Sequence, residues 1–136
     1  MRYFLAKSEP SVYSIDDLKR DGKTVWDGIK NAQALQAVKS MMPGDRVFFY
    51  HSGGESQIVG LAEVKTQARV DPKDPKSWVV DLGYVMHLDP PTTLGEVKGS
   101  HEFDGWALVR QSRLSTMEAP EEFARWMRGR YKIASI

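Results

Sequence analysis

Apolar positions recur along the chain at two periods, one suited to strands and one to helices. Tyr3-Phe4-Leu5-Ala6 predicts a short strand, and Pro10 forces the polar stretch Lys7-Ser8-Glu9 into an extended or turning path. Ser14, followed three residues later by Asp17, approximates a capping box, while Tyr13 and Leu18 stand where a hydrophobic staple would place them. A helix of one to two turns is therefore expected, ended by Asp21-Gly22. Thr24-Val25-Trp26 predicts a brief extended piece, broken by the turn signal Asp27-Gly28. Asn31 suits the N-cap of a second helix over 32–41, because Leu35, Val38 and Met41 or Met42 fall on one face; Pro43-Gly44 stops it.

Arg46-Val47-Phe48-Phe49-Tyr50 has the aromatic and β-branched content of a strand, and Gly53-Gly54 connects it to a second strand near 57–66, giving a hairpin. The proline-bearing loop 71–76 precedes the longest strand candidate, 78–85, apolar on both faces. After Asp89-Pro90-Pro91 a helical turn is expected around 94–97, and Trp106-Ala107-Leu108-Val109 is expected as a last buried strand. Pro120 opens a closing helix in which Glu121 and Glu122 favour the N-terminal dipole and Phe123, Trp126 and Met127 make an apolar stripe. Arg125, Arg128 and Arg130 line its outer side and C-terminal end, so the rival use of this helix is as a protein-docking face. Without repeats or linkers, residues 1–136 read as a single α+β domain: five to six strands in a curled sheet or small barrel, surrounded by short helices.

Charge changes this picture little. Nineteen Lys and Arg against eighteen Asp and Glu leave a net +1, so a polyanion would have to be held by a local patch. The absence of Cys excludes disulfides and thiolate chemistry and fits a reducing compartment; a cytoplasmic location is expected. No stretch approaches the ~20 apolar residues of a membrane span, and the N-terminal apolar run is too short for a signal peptide. His51, His87 and His101 lie far apart without metal-ligand spacing, and there is no phosphate loop or nucleophile elbow, so neither metal nor cofactor is expected. An enzymatic rival would have to recruit Asp27, Glu9 or His51 as general acid or base.

Three polar-aromatic clusters stand where elements end: Lys7-Ser8-Glu9-Pro10, Trp26-Asp27-Gly28-Ile29-Lys30-Asn31 and Phe49-Tyr50-His51-Ser52. Strand ends converge on pockets, and an aromatic wall beside short donors and acceptors suits a flat heteroaromatic ligand. Each residue also has a plainer use: Trp26 in the core, Asn31 as a cap, Tyr50 and His51 closing a strand, Glu9 as a solvated charge. Trp78, Trp106 and Trp126 are assigned to the core.

Five blocks, Tyr3–Pro10, Trp26–Ala34, Gly44–Ser52 with Ile58-Val59-Gly60, Trp78–Asp81 and Val109–Ser115, resemble in order and spacing the EVE domain of the PUA-like superfamily. The resemblance implies a PUA-like curled β-barrel related to the YTH domain, and non-enzymatic binding of a modified nucleobase, such as modified cytosine, flipped from a nucleic acid. DNA ranks ahead of RNA as partner, and a monomer is expected. Carried over residue by residue, the resemblance makes Trp26 the stacking surface and Ser8, Asp27, Asn31, Tyr50, His51 and Ser52 the pocket edge, with Lys7, Glu9 and Gln33 in support. Arg110, Ser112 and Arg113 fall in its late motif, where guanidinium groups either bind phosphate or brace the barrel. The chain departs from the family's Asn-Tyr-Gln-Ala-Arg-Asn at Asn31-Ala32-Gln33-Ala34-Leu35-Gln36, which lacks one aromatic and one basic residue, and in the turn Gly53–Gln57. A wider and less cationic pocket follows.

Overall fold

A computed structural model describes residues 1–133 and residue 136. Strand β1 (Tyr3–Ser8) is followed by α1 (Ile15–Asp21), β2 (Lys23–Trp26), α2 (Ala32–Ser40), β3 (Arg46–His51) and β4 (Gln57–Val64). Then come β5 (Arg69–Asp71), β6 (Asp74–Thr93), α3 (Leu94–Ser100), α4 (Ala107–Arg110), β7 (Thr116–Ala119) and α5 (Glu121–Tyr131). The sheet runs β2-β6-β4-β3-β1-β7, with β5 paired to β6, and among the described residues only β1 and β3 run parallel. Among the described residues no helix is long and apolar enough to cross a membrane.

The expected helix starts are present. Ser14 and Asp17 exchange both bonds of a capping box, Asn31 caps α2, and Thr93 with Glu96 forms a second box that opens α3 where only a helical turn was expected. Two strand expectations need correction. The run expected as a last strand falls instead in the single helical turn α4, Ala107–Arg110, with Trp106 at its N-cap, because it buries only Leu108 fully and closes through Arg110 N–H to Trp106 O and Gln111 N–H to Ala107 O. An apolar run this short has no period of its own, and its neighbours decide its conformation. The described residues also form seven strands where five to six were expected, since β5 and β7 are three and four residues long with charged or small members and depend on pairing rather than propensity.

β6 is twenty residues long, extends beyond the expected 78–85 at both ends and runs through Asp89-Pro90-Pro91. Its register against β4 passes from His87 opposite Gly60 to Thr92 opposite Ile58, so residues 88–91 bulge where a proline's missing N–H is harmless. At Gly60 itself a Cβ would stand 2.5 Å from Ile15 Cδ1 and 2.9 Å from Met86 O. Glycine here lets α1 settle on the sheet. Gly60→Ala is expected to destabilise the protein by about 1–3 kcal/mol through overpacking; an unchanged urea midpoint would show that α1 moves aside without cost.

The core covers both faces of the central strands, as the burial of Tyr3 to Ala6 and Val47 to His51 shows. Side chains alternate along β3, so Phe48 and Phe49 face opposite ways. Phe48 meets Phe123 of α5 edge-on at 5.2 Å, and around Phe123 stand Phe103, Trp106 and Trp126 at 5.2, 4.5 and 5.7 Å. Trp78, Trp106 and Trp126 flank the core half-buried rather than lying within it: Trp106 donates to Glu118 O, Lys39 stands over Trp78, and Arg130 over Trp126. Amphipathic rings of this size keep a polar or cation-covered side at the surface.

The apolar stripe of α5 is therefore turned inward. Two of the arginines expected on its outer side are occupied: Arg128 bonds the Tyr3 hydroxyl and Glu121, and Arg130 pairs with Glu96. Phe123 and Met127, the apolar residues that a docking face on this helix would need, are buried in the protein's own core.

The expected barrel is not closed, because β2 and β7 end the sheet without pairing to each other. The sheet curls far enough, however, that Trp26 Nε1 on β2 donates to Thr116 Oγ1 on β7 at 3.2 Å. One side-chain bond bridges a seam that backbone pairing leaves open.

Candidate functional site

A cleft of about 660 Å³ occupies this seam. Lys7, Ser8 and Glu9 line it from the end of β1, Val12 and Tyr13 from the turn that follows, Thr24, Val25 and Trp26 from β2, Asp27, Gly28 and Ile29 from the next loop, and Ser115 from the approach to β7. Two of the three polar-aromatic clusters thus meet here, brought together by strands that are far apart in the sheet order.

Each wall is held by bonds that leave particular groups free. Trp26 is anchored by Thr116 and by an edge-on contact with Phe49 at 6.0 Å, which fixes the indole while it borders the cleft. Ser8 Oγ donates to Tyr13 O at 2.6 Å, and Glu9 O accepts from Val12 and Tyr13 N–H, tightening the turn. Gly28 takes a positive φ of 72°, open to glycine at little cost, and buried Ser77 donates to Ile29 O at 2.6 Å, pinning the second loop. The Glu9 and Asp27 side chains are exposed and have no partner among the described residues. They are acceptors facing the cleft.

Lys7 runs along the wall, its ammonium donating to Ser112 O at 3.1 Å and lying 5.4 Å from the Tyr50 ring centroid. Burial pulls this ammonium below the ordinary lysine range. Its backbone N–H donates to Ser115 O, tying β1 to the 112–115 segment.

The third cluster lies behind the cleft. His51 is buried; its Nε2 accepts the Ile15 N–H at 3.1 Å, so the proton sits on Nδ1, which donates to Glu55 at 2.9 Å. That bond holds the Glu55 carboxyl below the usual range. His51 thereby satisfies the first orphan N–H of α1. His51→Phe, which keeps a ring but no acceptor, is expected to cost about 1–3 kcal/mol in denaturant unfolding; equal stability would mean that another group reaches Ile15.

Tyr50 is 3% exposed, and burial pushes its phenol up. Ser52 N–H donates to Ser8 O, so its backbone braces the wall. Asn31 accepts from Gln33 and Ala34 N–H as the cap of α2, and Gln33 lines a separate groove of about 350 Å³ with Arg2, Ser40 and Glu118. Arg110, Ser112 and Arg113 are exposed beside the seam. Of the expected site residues the cleft collects Lys7, Ser8, Glu9, Trp26 and Asp27. Sequence reasoning missed Val12, Tyr13, Thr24, Val25 and Ser115, whose placement depends on the curl; the sequence signal nearest to them is the staple position of Tyr13. Among the described residues no three His, Asp or Glu converge as metal ligands.

An EVE-domain family model matches residues 2–129. The chain belongs to the EVE-domain family. Thymocyte nuclear protein 1 of Homo sapiens is 32% identical over 128 residues, covering 74% of this chain and 57% of the relative, so the EVE chain spans less than two thirds of that protein's length. Rpa0253 from Rhodopseudomonas palustris superposes with a TM-score of 0.91 at 35% identity over 98% of this chain and 95% of that one. Human THYN1 protein, solved in complex with 5-methylcytosine-containing DNA, superposes at 0.86 with 26% identity, covering 98% and 99%. The YTH domain of Zygosaccharomyces rouxii MRB1 protein shares the fold at a TM-score of 0.61 and 17% identity, covering 97% and 87%.

Proposed function

We propose that this EVE domain binds a modified nucleobase of a nucleic acid, DNA ahead of RNA, with the base turned out of its strand into the seam cleft and laid against Trp26. The observation that carries this is the unclosed seam: a fixed indole borders an open cleft whose free side chains, Glu9 and Asp27, are acceptors. Stacking supplies about 1–3 kcal/mol in any sequence. Carboxylates accept only, so they favour a base edge that presents an amino group, as cytosine and adenine do. Val12, Val25 and Ile29 supply apolar surface for a methyl substituent, worth about 1–3 kcal/mol at most.

Similarity to human THYN1, solved with 5-methylcytosine-containing DNA, supports DNA as partner; the RNA-bound YTH neighbour supports only the fold. Binding rather than catalysis fits the cleft's chemistry, since the Ser8 hydroxyl and Lys7 ammonium are both engaged in donating to backbone carbonyls. Turning a base out of a duplex costs a few kcal/mol, so single strands should bind more tightly than duplexes of the same sequence. The test is a panel of single- and double-stranded DNA and RNA oligomers with plain or modified cytosine and adenine, titrated at low salt. Preference for one modified oligomer is expected; equal affinity for every member would remove base reading from this cleft.

A further inference from the structure

We infer that Arg110 and Arg113 form a phosphate-binding ridge beside the cleft, which grips the sugar-phosphate backbone of the strand whose base the cleft receives; this rests on the function proposed above. Six of the nine arginines in the chain, Arg2, Arg20, Arg46, Arg69, Arg128 and Arg130, are paired with carboxylates. Among the described residues Arg110, Arg113 and Arg125 have neither an ion pair nor a hydrogen-bond partner for their guanidinium groups. Two of these three stand in one short segment at the seam.

That segment is fixed against the cleft wall on both sides of Arg113. Ser112 O accepts from the Lys7 ammonium, and Ser115, itself a lining residue, accepts from Lys7 N–H. The bond from Leu114 N–H to Gln111 O folds residues 111–114 into a turn, which keeps Arg110 and Arg113 on one compact stretch with both side chains exposed. Guanidinium groups without intramolecular partners retain all five donors for phosphate oxygens. The bracing role has no carboxylate to act through.

Charge around the seam is divided between cleft and flank. The free carboxylates, Glu9 at the end of β1 and Asp27 on the β2 side, border the cleft itself, whereas Arg110 and Arg113 stand outside its lining, in the segment that Lys7 ties to the β1 wall. A strand carrying one charge per phosphate therefore meets least repulsion with its backbone over residues 110–113 and its base toward Trp26. With a net charge of +1 there is no general field to do this, so the local ridge sets the salt dependence.

The test uses the whole chain and two labelled single-stranded DNA oligomers, one carrying 5-methylcytosine and its unmodified twin, titrated between about 50 and 200 mM salt. For the Arg110→Gln/Arg113→Gln double variant, affinity for both oligomers should fall by the same factor, and the slope of log affinity against log salt should shrink by about 1.4, roughly 0.7 per lost contact. The ratio between the two oligomers should not change. An Arg125→Gln/Lys98→Gln variant, which removes the same charge elsewhere, should keep the wild-type slope, and melting curves should show both variants folded.

An unchanged slope in the Arg110/Arg113 variant overturns the ridge, as does an equal loss of slope in the control. A changed ratio at constant slope also overturns it, placing these arginines on the base. If wild type shows no preference between the oligomers while the double variant still loses slope, the ridge stands and the reading of 5-methylcytosine falls; if wild type binds neither oligomer at the lowest salt, both fall.

Discussion

Replacing Trp26 with alanine is expected to weaken binding of the preferred modified oligomer by about 5- to 150-fold, the equivalent of about 1–3 kcal/mol of lost stacking. The loss should extend to unmodified single strands, because stacking is indifferent to base identity. It should not alter the salt slope, since the indole touches no phosphate. The same substitution removes the edge contact with Phe49 and leaves Thr116 without its donor across the seam, so some stability is lost as well. Trp26→Phe separates these effects: it keeps a stacking face but cannot bridge to Thr116, and should recover much of the affinity without restoring the bridge. Fluorescence anisotropy on both variants, with melting curves alongside and exposed Lys19→Ala as control, decides the matter. Full affinity in a folded Trp26→Ala protein would exclude the indole as a stacking platform.

The largest expected effect on the fold is at Phe123. Its fully buried ring is the common neighbour of Phe48, Phe103, Trp106 and Trp126. Phe123→Ala should cost about 3–5 kcal/mol, since truncation leaves a cavity lined by rigid rings that cannot collapse into it. Against a typical total of about 5–15 kcal/mol, that leaves a marginal protein whose unfolding midpoint in urea falls sharply. Phe123→Leu fills most of the space and should cost clearly less. Equal midpoints for the two variants would mean that α5 shifts to close the gap.

Much of this was legible in the residues because it is local. A capping box needs only Ser14 and Asp17 at the right spacing, and the Asn31 cap and the β3–β4 hairpin were readable in the same way. Resemblance to the EVE domain rested on blocks of sequence in register and was matched by a family model over residues 2–129. Short segments were less legible. Thr116–Ala119 is a strand because Tyr3–Ala6 offers an edge to pair with, while the run Trp106–Val109 falls in a helical turn although its composition suits a strand. Neither outcome is encoded within four residues.

Site residues divide along the same line. Trp26, Asp27 and Lys7 to Glu9 follow or finish strands whose ends the curl brings together, so their grouping could be anticipated from the clusters. Tyr50 and His51 carry the same kinds of side chain at a comparable strand end, yet they sit behind the wall: Tyr50 under Lys7, His51 against the first N–H of α1. Strand alternation is visible in the sequence, but which side of β3 faces the seam depends on how α1 and β2 pack over it.

By itself, the sequence determined the capped helix starts, the apolar strands, the family and the chemical vocabulary of the site, all set by spacings within a few residues or by blocks in order. Only the tertiary structure decided that the sheet stays open between β2 and β7, that one indole-to-hydroxyl bond spans the gap, and that Arg110 and Arg113 stand unpaired beside it. These are relations between residues some ninety positions apart, and they arise from sheet twist and competition for partners, which no local pattern records.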